Sequence, residues 1–174
     1  MHKDEIADLI DDKSQVLVQF LQNQKIEKWR LGPENKWTTG QQALHLLQSV
    51  IPLNTALSLP RFIIRTKYGK TNRSLRTYNE IVKRYLERLA ENPNVTFGPS
   101  KNMKVPSNYD KHYIVDRLQI EHKKLSYKIR KISDPNLDEL VLPHPLMGKM
   151  PVREILMWTA YHIEHHTNQL QKSY

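Results

Sequence analysis

Apolar residues recur at three- and four-residue intervals along most of the chain, and the strict alternation of a half-buried strand is nearly absent. A first helix is predicted over about Asp4 to Lys28, with Ile6, Leu9, Ile10, Leu17, Phe20 and Leu21 as its apolar face and Gly32-Pro33 as its stop. A second begins after Trp37, where Thr39 and Gln42 have the spacing of a capping box, and runs toward Leu59-Pro60; Pro52 is expected to kink it or end its regular part. A third is predicted from about Ser74 to Ala90, ending before Asn92-Pro93. Residues 92–108, with three prolines and a glycine, read as a surface loop. A long basic helix then spans about Asn108 to Ile132 and closes at Ser133-Asp134-Pro135. After another loop with Pro143, Pro145 and Gly148, a last helix opens with Pro151 in its first turn and reaches about Gln171. Four principal helices and one accessory helix predict an all-α chain, most economically a four-helix bundle with long loops, in a single domain over residues 1–174.

Composition narrows the class. Apolar residues make up 39% and charged ones 26%, too apolar for a disordered chain and too charged for a membrane protein. No apolar run approaches the roughly 18 residues that span a bilayer, and the acidic start lacks a signal-peptide pattern, so a cytoplasmic protein is expected. The absence of cysteine excludes disulfides, thiolate metal sites and a cysteine nucleophile. The net charge of +9 is unevenly placed: residues 61–131 carry 18 basic and 6 acidic groups, while both ends are weakly acidic. That basic middle motivates a nucleic-acid-binding alternative. Against it, Lys123, Lys124, Lys128, Arg130 and Lys131 spread around their helix without forming one stripe, so nucleic acid is not the expected partner.

Of 8 histidines, three fall within five residues: His162, His165 and His166. On a helix His162 and His166 share a face and could hold one metal ion together. At 100° per residue, His166 lies about 30° and His162 about 70° from the centre of the stripe of Val152, Ile155, Ile163 and Leu170, whereas His165, about 130° away, is expected to be exposed. Two imidazoles do not complete a coordination shell. The best third candidate is His45, because Trp37 to Pro60 is a run of 24 residues without Asp, Glu, Lys or Arg. His45 lies beside Gln41, Gln48 and Ser49, polar but uncharged neighbours that suit a pocket wall.

Three segments in order carry a resemblance: Trp37-Thr38-Thr39-Gly40-Gln41-Gln42-Ala43-Leu44-His45, then His144-Pro145-Leu146-Met147-Gly148 through Glu154, then His162 and His166 with Gln169. Together they resemble the DinB/YfiT-like superfamily over essentially the whole chain. The resemblance implies a four-helix bundle with an open pocket at one end, a divalent metal, zinc or nickel, on His45, His162 and His166, and homodimers through bundle helices. It implies metal-dependent thiol transfer with a low-molecular-weight thiol, or related isomerase or hydrolase chemistry, on a small-molecule substrate. It carries no DNA chemistry.

The expected mechanism is a three-histidine metal centre that activates a water or a low-molecular-weight thiol by lowering its pKa. A metal-binding bundle without catalysis is the alternative. No general acid or base is assigned. Glu164 falls on the outer side of its helix, and His144 is either near the pocket or a loop histidine that caps and packs. His122, on the apolar stripe of its own helix, reads first as a core histidine, and Trp29, Trp37 and Trp158 as core or pocket wall. Tyr161 beside His162 could contact substrate, but a bundle tyrosine needs no such role.

Overall fold

The computed structural model describes residues 1–93 and 98–173. Among these the chain is mostly helical: α1 (Lys3–Asn23), α2 (Thr39–Ala56), α3 (Arg61–Tyr68), α4 (Tyr78–Glu91), α5 (Asp110–Lys131), α6 (Asp134–Glu139) and α7 (Val152–Ser173). Two short 3-10 turns, Ile26–Arg30 and Gly98–Ser100, and one antiparallel pair, β1 (Val141–His144) with β2 (Gly148–Pro151), complete it. α1 packs on α5 and α7, α2 packs on α5 and touches α7, and α4 lies along α7. The helices share one core, to which α1 gives Ile6, Ile10, Leu17 and Leu21, α5 gives Leu118, Leu125 and Ile129, and α7 gives Leu156, Ile163 and Leu170. These positions repeat at helical spacing, so one face of each amphipathic helix supplies the apolar burial that holds it in place.

Local chemistry fixes the ends. α1 starts on His2, whose ring accepts from the Asp4 N–H while Glu5 reaches back to the His2 N–H. It stops at Asn23, short of the expected Lys28, and the chain tightens into the 3-10 turn that buries Trp29. Its last turn has no basic residue of its own; Lys111 of α5 supplies one, its ammonium donating to the Gln22 and Gln24 carbonyls. α2 is capped one residue earlier than expected. Thr38 accepts from the Gln41 N–H and Gln41 returns to the Thr38 N–H, which leaves Gln42 available elsewhere. The helix runs through Pro52 to Ala56, so its regular part does not end there, and the proline withholds the helical donor from the Gln48 carbonyl.

The expected helix from Ser74 begins later, at Tyr78, because Thr77 and Glu80 form its capping box. α6 and the β1–β2 hairpin replace what read as a loop, and α3 occupies a stretch for which no element was expected. The hairpin pairs Val141 with Pro151 and His144 with Gly148, and Gly148 takes the left-handed φ of 75° that closes its turn. Pro151 is therefore the last strand residue and not the first helical one, and the hairpin delivers the chain directly into α7. Buried Glu154 accepts both guanidinium nitrogens of Arg73 at 2.6 Å and the Arg76 N–H at 2.8 Å, tying the lead-in to α4 onto α7.

Many of the basic side chains have partners within the fold: Arg130 pairs with Asp8 and Asp11, Arg117 with Glu121, and Lys128 with the Asn54 carbonyl. No described helix is long and apolar enough to cross a membrane.

Gly40, in the first turn of α2, lies flat against the fully buried Trp29 indole. A Cβ there would stand 2.8 Å from Cε2 and 2.9 Å from Nε1 of that ring. Gly40→Ala is expected to destabilise the protein by about 1–2 kcal/mol despite alanine's better helix propensity, because the ring has no room to retreat. Urea unfolding measures it; an unchanged or raised midpoint contradicts this packing.

Candidate metal centre

The charge-free α2 and the amphipathic α7 meet along the faces that carry the histidines. His162 is 2% exposed, His166 is 7% exposed and His45 is half-buried. Their Nε2 atoms converge: His45 Nε2 and His166 Nε2 each stand 3.1 Å from His162 Nε2, and all three ligand atoms lie within 4.8 Å of one another. A tetrahedral ion with nitrogen at 2.0–2.1 Å requires neighbouring nitrogens about 3.4 Å apart, so the two short separations match within a few tenths of an ångström, while the third, His45 to His166 at up to 4.8 Å, must shorten for one ion to hold all three. These three are the one group of metal-capable side chains among the described residues.

The opposite edges of two rings are anchored. His166 Nδ1 is 3.0 Å from Gln42 Oε1, an amide oxygen that can only accept, so Nδ1 carries the proton and Nε2 the lone pair. This is the role that capping by Thr38 leaves to Gln42. His45 Nδ1 stands 2.6 Å from Ser100 Oγ, and the Ser100 hydroxyl donates toward Gln48 Oε1 at 3.4 Å, which orients the His45 lone pair the same way. His162 is sandwiched by packing: Trp158 stacks on it with centroids 4.5 Å apart and Tyr85 meets it edge-on at 6.4 Å. Burial lowers the His45 pKa to about 4, helped by His165. His162 and His166 are held well below the usual imidazole range, by burial first and then by neighbouring imidazoles. All three are neutral at pH 7, the form that binds a metal.

The cluster lines a cavity of about 480 Å³ whose walls also include Leu53, Tyr85, Leu142, Ile155 and Trp158. Trp37 and Trp158 are pocket wall, while Trp29 is core. His165, expected to be exposed, is half-buried and reaches the cavity, its Nε2 2.9 Å from Gln169, because α4 covers that side of α7 with Tyr85. Glu164 does face outward, pairing with Lys13 at 2.7 Å.

His144 lines the cavity and also caps its turn, its Nδ1 accepting from the Leu146 and Met147 N–H groups at 3.1 and 3.0 Å. His122 is a core histidine, 1% exposed and hydrogen-bonded to Ser14 Oγ at 2.8 Å. Sequence reasoning missed Tyr85. Burial, with a smaller push from Tyr161, raises its phenol to about 12 and keeps it protonated. Its signal was the Ile81 and Tyr85 pair one helical turn apart on α4.

The same burial sets a pH dependence. His45, His122 and His144 have folded-state pKa values near 4 against 6.5 unfolded, so the unfolded chain binds protons first as pH falls. The metal-free protein is expected to hold a level Tm above pH 7 and to lose stability progressively from pH 6.5 to 4. A Tm that stays level across that window would contradict neutral buried imidazoles. No protein-family model, no curated protein and no solved structure matches the chain.

Proposed function

We propose that His45, His162 and His166 hold one divalent cation, zinc or nickel, in a four-helix bundle of the DinB/YfiT-like type, and that the chain is a metal-dependent enzyme of hydrolase or thiol-transfer type acting on a small molecule. The observation that carries this reading is the convergence of three neutral imidazole Nε2 atoms at the wall of a cavity large enough for a drug-sized ligand. Such an ion, when bound, supplies a Lewis acid that lowers the pKa of a water or thiol beside it.

The protein's own groups have distinct tasks. Gln42 and Ser100 fix the rings of His166 and His45 through Nδ1, and Trp158 fixes the plane of His162. No Asp or Glu lines the cavity among the described residues, so proton transfer falls to an imidazole. His165 is suited to it: half-buried, neutral because burial lowers its pKa, and tied through Nε2 to Gln169. The basic middle of the chain needs no nucleic acid to explain it, because several of its cations are paired internally.

Protein purified without a histidine tag is expected to take up about one zinc or nickel per chain, measured by elemental analysis after dialysis. His162→Ala should abolish uptake, and Gln42→Leu should weaken it by roughly 10- to 100-fold, the usual effect of losing a ligand's outer hydrogen bond. His165→Gln should keep the metal and lower turnover. Wild-type protein that takes up neither ion removes the proposal; full metal binding with no turnover across ester, amide and thiol-acceptor panels leaves the non-catalytic bundle.

A further inference from the structure

We infer that the cavity takes an uncharged, chiefly apolar small molecule, oriented with one polar end toward the three histidines. The protein carries 45 charged side chains, 27 basic and 18 acidic, yet no Asp, Glu, Lys or Arg appears among the described residues that line the cavity. Residues 94–97, outside the described set, contain none in sequence either.

Of the charged residues directly beside the lining in sequence, the two acidic ones are committed elsewhere, Glu154 to Arg73 and Arg76 and Glu164 to Lys13, and the basic ones, Lys36, Lys67, Arg84, Arg88 and Lys101, are not among the lining residues. Away from the histidines the wall is aliphatic and aromatic, including Leu53, Leu89, Leu142, Leu146 and Ile155. Its polar groups are neutral, among them the Gln48 amide and the Ser49, Ser100, Tyr68 and Tyr85 hydroxyls. Tyr85 is 6% exposed, and its hydroxyl has no hydrogen bond to any described residue, which leaves it as a donor for the ligand.

A carboxylate or ammonium on the ligand body would lose its hydration on entering and find no counter-charge, whereas an apolar body gains by the same desolvation. A polyacidic or sugar-bearing thiol is therefore a poor fit, and a lipophilic molecule with one hydroxyl, carbonyl or thiol end a good one. The inference rests on the metal-centre reading only for the direction of that polar end.

The test displaces the uncharged fluorophore N-phenyl-1-naphthylamine with probes of one tail length, hexan-1-ol, hexanoate and hexylammonium, in metal-free and in zinc-treated protein. In the metal-free protein hexan-1-ol should compete at least tenfold better than either ion. Zinc should improve hexanoate selectively, as it would if the polar end meets the histidines. Ala56→Lys places a cation on the wall in the last turn of α2, where it also suits the helix terminus. It should improve hexanoate at least fivefold in the metal-free protein and leave hexan-1-ol within twofold, with the fold checked by circular dichroism.

Failure of the fluorophore or hexan-1-ol to bind, ions that compete as well as the alcohol without metal, or no response to Ala56→Lys would overturn the inference. Protein that takes up no zinc defeats the metal-centre reading alone, because the metal-free arm still decides the ligand class.

Discussion

Three imidazole nitrogens aimed at one point cannot satisfy one another. With Nδ1–H of His166 given to Gln42 and Nδ1–H of His45 given to Ser100, those two rings present only lone pairs inward, and His162 has at most one proton to offer them. At least one buried acceptor is left without a donor, a cost of about 1–3 kcal/mol in the protein alone. The surrounding structure holds this arrangement in place. Trp158 and Tyr85 bracket His162, a run of 24 residues without charge forms the facing helix, and the α4 side of the cavity is tied to α7 through buried Glu154.

The 3.6-residue repeat revealed most of this, because each long helix buries one face and polar residues cover the other. Helix angles placed His162 and His166 inward, and the missing charges in α2 pointed to His45. The angle argument failed at His165 because it describes one helix in isolation: α4 covers that flank of α7, and Tyr85 buries a position that a lone helix would leave wet. The hairpin escaped notice because four-residue strands carry little periodicity and Pro143, Pro145 and Gly148 dominate the local signal. The capping box of α2 lies one residue before the expected Thr39 and Gln42: Thr38 with Gln41 has the same spacing, and in the fold Gln42 is engaged with His166.

Net charge was the most visible property of the chain and the least informative about its site. Much of the basic middle is absorbed by internal partners, among them the carbonyls at the end of α1, the acidic face of α1 and buried Glu154. A large formal charge thus coexists with a cavity wall on which no described residue is charged.

The doubled threonine–glutamine pair at the head of α2 separates two duties that a single pair would have to share. Gln41 closes the helix and Gln42 orients a histidine, so neither hydrogen bond competes with the other for the same amide. The helix terminus and the ring orientation are in this sense modular: sequence drift at the cap alters where α2 begins without turning His166, and drift at Gln42 loosens His166 without unwinding α2.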